Sequence, residues 1–176
     1  MTSFVEKIVA VDQALADGGI EHAFGGAIAL GFHVASPRAT ADIDVNISVP
    51  TRKARTVVQA LPAGVAWSDP DLAQISRTGQ TRLFWDRTPV DLFFPQDELH
   101  TVVAGRTERV PFAGTTIPII SATDLTIFKA LFNRTQDWAD IENMLDHGRV
   151  DRAEARAWLV HLMGEDDPRL ARLDRL

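Results

Sequence analysis

Apolar positions Val5, Ile8, Val9 and Leu15 recur at helical spacing and predict an amphipathic first helix, stopped by Gly18-Gly19. Ile20 to Phe24 reads as a short strand, and Gly25-Gly26 turns the chain into a small-residue helix from Ala27 to about Val34. Ser36-Pro37 breaks that helix. Asp42 to Val49 alternates and is rich in Ile and Val, the pattern of a strand that Pro50 ends. Thr51 is expected to cap a helix running to about Leu61. Gln80 to Trp85 and Pro89 to Phe94 form two more strands around a turn at Asp86-Arg87, and Val110 to Phe112 and Thr116 to Ile119 add short ones. From Ser121 the pattern becomes helical. Ser121 with Asp124 three residues on resembles a capping box, and Gly148 stops the next helix. "DRAEARAWLVHLM" predicts a third helix, and the residues after Pro168 a short fourth.

This layout is α+β: a small mixed β-sheet with flanking helices, followed by a C-terminal helical cluster. It is expected as a single domain over 1–176, with a sheet-containing lobe at 1–120 and a helical lobe at 121–176.

Composition narrows the chemistry. The chain has 176 residues, 45% hydrophobic, and a formal charge of -6, which argues against a uniformly basic nucleic-acid binder but not against a local basic groove. It has no cysteine, so disulfides, thiolate catalysis and cysteine-held metals are excluded. The N-terminal run mixes acids with apolar residues and does not read as a signal peptide, and no apolar run reaches about 18 residues. A cytoplasmic protein without a membrane partner is expected. The five histidines show no metal-ligand spacing and read as structural or surface residues.

The candidate chemistry lies in carboxylates. On a strand, residues i and i+2 share a face, so Asp42 and Asp44 project together. Two adjacent carboxylates repel, and a hard divalent ion such as Mg²⁺ relieves the repulsion. Alone, Asp-x-Asp also describes a solvated strand end. Asp91 is a lone acid in an apolar strand, where a charge needs a partner. It either joins Asp42 and Asp44 in a site for two Mg²⁺ ions or pairs with an arginine such as Arg82 or Arg38. Gly25-Gly26 at a strand-to-helix junction suits phosphate binding, or is a plain tight turn. Lysine occurs only at positions 7, 53 and 129. Lys129 sits among Leu125, Ile127, Phe128, Leu131 and Phe132, and its charge needs an anion: a triphosphate, or a neighbouring carboxylate.

Taken together, "GGAIALGFH", "RATADIDV", Asp91 and "DLTIFKALFNRTQDWADI" resemble the DNA polymerase β-type nucleotidyltransferase superfamily. More narrowly, they look like the AbiEii/MenT-like toxins of type IV-like toxin–antitoxin systems. In that family the later block runs roughly DLxxxKxxAxxxRxxDxxDI; Asp124 and Lys129 fit its first part and Arg134, Asp137, Asp140 and Ile141 its second, the two parts lying two residues closer together here. Phe132 or Asn133 stands where a small residue is usual, and the chain is short for the family. The resemblance spans roughly Ile20 to Leu145.

The resemblance implies the nucleotidyltransferase fold and transfer of a nucleoside monophosphate from a nucleoside triphosphate (NTP) to a hydroxyl. The implied acceptor is the 3′ end of tRNA, and the consequence a block of translation. Asp42, Asp44 and Asp91 would hold two Mg²⁺ ions, with Asp91 helping to deprotonate the acceptor. Gly25, Gly26, Arg38, Lys129 and Asp137 would contact the nucleotide, and Asp140 or Asp137 would serve the fourth motif. The plainer reading of Arg134, Asp137 and Asp140 is a helix surface with an i,i+3 pair. Some relatives are silenced by an antitoxin kinase acting on a Ser or Thr at the place of Thr40, where added negative charge would repel a triphosphate. Otherwise Thr40 is a β-branched strand residue with a structural hydroxyl. The competing classes are a small-molecule, antibiotic-type nucleotidyltransferase and a catalytically silent binding module.

Overall fold

A computed structural model describes residues 2–176, and Met1 lies outside the described residues. Ser3 starts the first helix, α1 (Phe4–Asp17): its hydroxyl accepts from the Glu6 amide at 3.3 Å, and Glu6 reaches back to the Ser3 amide at 2.7 Å. One face of α1 buries Ile8, Val11 and Leu15. Two compact units divide the chain. One comprises the residues up to Ile28 with Ala39–Ile120, and the other Ala29–Arg38 with Ser121–Leu176.

The first unit contains a mixed seven-stranded sheet. Its strands are β1 (His22–Phe24), β2 (Ile43–Ile47), β3 (Val65–Ala66), β4 (Gln80–Trp85), β5 (Thr88–Phe93), β6 (Glu108–Phe112) and β7 (Thr115–Ile119). They lie in the order β3-β4-β5-β2-β1-β7-β6. β2 runs parallel to β5 and antiparallel to β1, and β1 runs parallel to β7. On β2 the buried Ile43, Val45 and Ile47 alternate with half-buried Asp44 and Asn46. One sheet face is therefore core, continued by Val90 and Leu92 on β5 and Leu83 on β4. The helix α2 (Gly26–His33) starts directly after β1.

Several expectations need correction. The central strand is shorter than Asp42 to Val49, so Thr40 and Asp42 precede it. The register Ile43↔Val90 would carry Asp42 opposite Pro89, which has no amide hydrogen to extend the ladder. The first strand likewise begins at His22 rather than Ile20. Thr51 is not a cap. A single 3-10 turn, Thr51–Lys53, follows Pro50 without a side-chain cap and leads into α3 (Ala54–Ala60). Three elements were not anticipated: β3, α4 (Asp69–Thr78) and α5 (Glu98–Ala104). At the hairpin turn, Asp86 adopts φ 54°. Lys7 of α1 pins this hairpin, donating to the Trp85 carbonyl at 2.8 Å, Asp86 at 3.0 Å and Thr88 at 3.1 Å.

The second unit carries α6 (Ala122–Phe132), α7 (Thr135–Asp146), α8 (Arg152–Met163) and α9 (Pro168–Leu173). Ser121 caps α6 as expected, accepting from the Asp124 amide at 3.1 Å. Asn133 ends α6 in the left-handed region, φ 58°, and its side chain accepts from the Trp138 indole at 2.7 Å. Ile127, Ile141, Met144, Ala155, Leu159 and Leu173 are fully buried in this unit. Among the described residues no helix is long and apolar enough to cross a membrane.

Candidate functional site

Sheet register aligns three residues across three strands. Asp44 on β2 pairs with Asp91 on β5, and Asp91 pairs with Arg82 on β4. Paired residues on adjacent strands share a face, so the three side chains form one row on the face opposite Ile43 and Val90. The row continues into the glycine turn, where the Gly25 amide donates to the Asp44 carbonyl at 2.9 Å. A Cβ on Gly26, whose φ is +50°, would overlap the Asp44 carboxylate. A Cβ on Gly25 would come within 2.6 Å of the Asn46 amide nitrogen. Gly26 is thus required by its close approach to the Asp44 side chain, whereas at Gly25 the Asn46 side chain would have to move. Because the Gly25 amide already serves the sheet, amides that could face an anion begin at Gly26 and the first turn of α2.

Arg82 is the cation of this row. Its Nε donates to Asp91 Oδ1 and its Nη2 to Asp91 Oδ2, each at 2.7 Å, and Nη2 reaches Asp42 Oδ2 at 3.4 Å. The hydrogen bond with Asp91, reinforced by the charges of Asp91, Asp42 and Asp44, pushes the guanidinium pKa up. The Asp91 side chain is 12% exposed, against 41% for Asp42 and 52% for Arg82. The arginine alternative for Asp91 therefore holds in this structure, and it holds alongside the neighbourhood of Asp42 and Asp44.

The donor set fits a hard divalent cation: carboxylates only, two of them side by side in register. Among the described residues, however, no three acidic or histidine side chains converge as a ready-made metal cluster. The fork of Arg82 touches both Asp91 and Asp42. Thr40 lies in the loop before β2, and its hydroxyl is engaged with the Asp42 backbone, 3.2 Å from the amide and 3.4 Å from the carbonyl oxygen.

The later motif forms its own cluster within the second unit. Lys129 Nζ donates to Asp140 at 2.6 Å and Asp137 at 3.4 Å. Arg38 reaches Asp140 at 3.4 Å, and Gln136 donates to its other oxygen at 3.1 Å. Arg134 holds Asp137 through Nε at 2.7 Å and Nη2 at 3.1 Å. Burial pushes the Asp137 carboxyl up, but the Arg134 hydrogen bonds and the Lys129 charge outweigh it and hold the group below its ordinary value. Lys129, Asp137 and Asp140 have side chains no more than 5% exposed. Lys129 thus takes the carboxylate partner that its sequence context allowed. Asp137 and Asp140 are interior groups rather than a helix surface.

Sequence reasoning offered Arg82 and Arg38 alike as partners of Asp91; the alternation of Arg82 with Thr81 and Leu83 puts it on the Asp91 face. Gln136 carried no signal. Three histidines make structural contacts: His22 with Asp12 at 3.0 Å, His100 with Asp97 at 2.8 Å, and His147 with the Asn143 carbonyl at 2.7 Å and the Ala35 amide at 3.1 Å.

No protein-family model matches the chain, and no curated protein sequence matches it. Among solved structures, the chain is similar to the antibiotic-resistance factor ANT(2'')-Ia, with a TM-score of 0.54 and 13% identity over 90% of this chain and 94% of that one. It is also similar to an antigenic nucleotidyltransferase-like protein from Paracoccidioides brasiliensis, with a TM-score of 0.49 and 16% identity over 97% of this chain and 94% of that one. JHP933 from Helicobacter pylori gives a TM-score of 0.44 at 16% identity, over 95% of this chain and 76% of that one. At such identities the likeness concerns the fold. The chain has an α+β nucleotidyltransferase fold with a mixed sheet, flanking helices and a C-terminal helical cluster.

Proposed function

We propose that this protein is a nucleotidyltransferase that moves a nucleoside monophosphate from an NTP to a hydroxyl group and releases pyrophosphate. The observation that carries the reading is the in-register pair Asp44 and Asp91, with the Gly26 backbone against Asp44, on this fold. Asp42, Asp44 and Asp91 would hold two Mg²⁺ ions. When bound, these ions would neutralise charge on the polyphosphate and lower the pKa of the acceptor hydroxyl. Asp91, the most buried of the three, would accept the hydroxyl proton. The acceptor oxygen then bonds to the α-phosphorus as the bond to the β-phosphate oxygen breaks. Gly26 and the first turn of α2 would orient the phosphates through amide groups.

Two acceptors remain in play, each with its own support. The sequence blocks shared with AbiEii/MenT-like toxins support the 3′ end of tRNA. That reading carries a toxin role, a block of translation, and a cognate antitoxin, with Thr40 as the candidate target of an antitoxin kinase. The fold likeness to ANT(2'')-Ia supports a small-molecule acceptor of the antibiotic type. Lys129, Asp137, Asp140 and Arg38 are ion-paired among themselves, so their expected part in nucleotide binding rests on the sequence resemblance alone.

One experiment tests the reading and separates the acceptors. The protein is incubated with Mg²⁺ and each labelled NTP, with total RNA in one arm and a panel of aminoglycosides in the other. Label in the tRNA band, absent from Asp42→Ala, supports the toxin reading. Label in an aminoglycoside supports the alternative. Absence of Mg²⁺-dependent NTP binding and of label in both arms would overturn nucleotidyl transfer and favour a silent binding module.

A further inference from the structure

At the sheet site one guanidinium holds two carboxylates. Arg82 occupies both oxygens of Asp91 at 2.7 Å and touches Asp42 at 3.4 Å. The contact is built into the fold, because the β4–β5 register sets Arg82 opposite Asp91 and the β2–β5 register sets Asp44 on its other side. A planar fork on a carboxylate is a strong and geometrically specific bond. A divalent ion ligated by Asp91 and Asp42 would stand next to this fork, and like charges at such range repel strongly. Arg82 and the metal therefore compete for the same oxygens. The Arg82 side chain is 52% exposed, so it can swing out without disturbing the buried face of β4.

We propose that Arg82 is the resting counter-cation of this site, a positioning residue that sets divalent-metal affinity and makes metal binding depend on nucleotide. Without nucleotide, the guanidinium compensates the carboxylates and keeps metal affinity low. A triphosphate supplies the negative charge that draws Arg82 off Asp91, so metal and nucleotide bind with positive coupling. This inference rests on the metal-site reading given under Proposed function. It adds that the chain contains its own competitor for that metal.

The test is Mn²⁺ binding, read from the free-ion electron paramagnetic resonance signal, with and without a non-hydrolysable NTP analogue. Wild type is compared with Arg82→Gln, Arg82→Lys and Arg82→Gln/Asp44→Asn, all checked for folding by circular dichroism. Without nucleotide, Arg82→Gln is expected to bind Mn²⁺ on the order of tenfold more tightly than wild type, because two charge-assisted bonds to Asp91 no longer oppose it. Arg82→Lys, which keeps the charge but not the fork, falls between them, and it carries the test if Arg82→Gln does not fold. The added Asp44→Asn removes the gain. The analogue raises Mn²⁺ affinity more in wild type than in Arg82→Gln. Equal, Asp44-dependent Mn²⁺ affinity in wild type and both Arg82 variants would overturn the proposal and leave the metal site standing. Absence of Asp44-dependent Mn²⁺ binding from every protein would overturn both.

Discussion

The sheet site and the helical-unit cluster are built from the same residue types but bury their carboxylates to different depths. At the sheet, the Arg82 guanidinium touches Asp91 and also Asp42, which lies just before β2, and both Arg82 and Asp42 are about half exposed. In the helical unit, Asp137 and Asp140 meet Lys129, Arg134 and Arg38, and the carboxylates are sealed. Carboxylates gathered at a half-open surface gain from an incoming cation. A buried network whose acids are each matched is an internal structural element. It is costly to break, and it does not need a ligand. Asp-x-Asp and Lys-x₇-Asp-x₂-Asp look equally chemical in sequence; burial separates them.

The largest effect should come from the sheet. Asp44→Asn is expected to lower nucleotide incorporation on the order of a thousandfold. Its stability should stay within about 1 kcal/mol of wild type in urea, because Arg82 still holds Asp91 and one like charge is gone. A large stability loss with activity retained would reverse the comparison. Lys129→Met should behave in the opposite manner. It leaves two buried carboxylates short of a cation and should destabilise by about 3–5 kcal/mol, read from the urea midpoint at constant slope. A stable Lys129→Met protein that has lost only incorporation would move Lys129 to the catalytic side.

Gly26→Ala sharpens the sheet half further. Its φ of +50° strains an L-residue, and the new Cβ would overlap the Asp44 carboxylate. A loss of about 1–3 kcal/mol is expected from backbone strain of this kind. Activity should fall as well, because the carboxylate must move. Gly114→Ala provides the control. Its φ is +83°, with no atom within 4 Å of the added Cβ, so strain acts there without the carboxylate. Matching activity in the two variants would detach Gly26 from the site.

Much of this was readable from residue order. The alternation of Ile43, Val45 and Ile47 with Asp44 disclosed both the strand and its two faces, since period two needs no tertiary information. Ser121 announced α6 because a cap is a local bond. The helix α4 also carries local marks: the Asp71 carboxylate accepts from the Ser68 amide at 2.8 Å, and Gly79 closes the helix at φ +71°. Its apolar face is weak, with Ile75 its one buried residue, so periodicity gave little. The pairing of Arg82 with Asp91 was one of several possible partnerships. Register across β4 and β5 selects among them, and register follows from the hairpin turn and the core pattern together. The burial of Asp137 and Asp140 was the least legible feature, because their sequence context is that of a charged helix surface.

The smallest expected effect probes the exposed end of the buried network. Arg134 is 70% exposed and grips Asp137 at 2.7 Å, with its guanidinium carbon 5.2 Å from the centre of the Phe132 ring. Solvent screens this pair, so Arg134→Ala should lower stability at pH 7 by less than about 1 kcal/mol. The pH dependence identifies the cause. The folded Asp137 carboxyl is held below its ordinary value, so its contribution is present above the unfolded value of about 4 and is lost as pH falls through the lower folded one. Without Arg134 that shift shrinks, and the acid-induced loss begins at higher pH. The gap between variant and wild type should therefore be widest near neutrality and close once Asp137 is protonated in both. Urea melts from pH 7 down to pH 3 read this directly. A gap that persists in acid would assign the effect to the Phe132 contact, and would leave Lys129 as the cation on which the buried carboxylates depend.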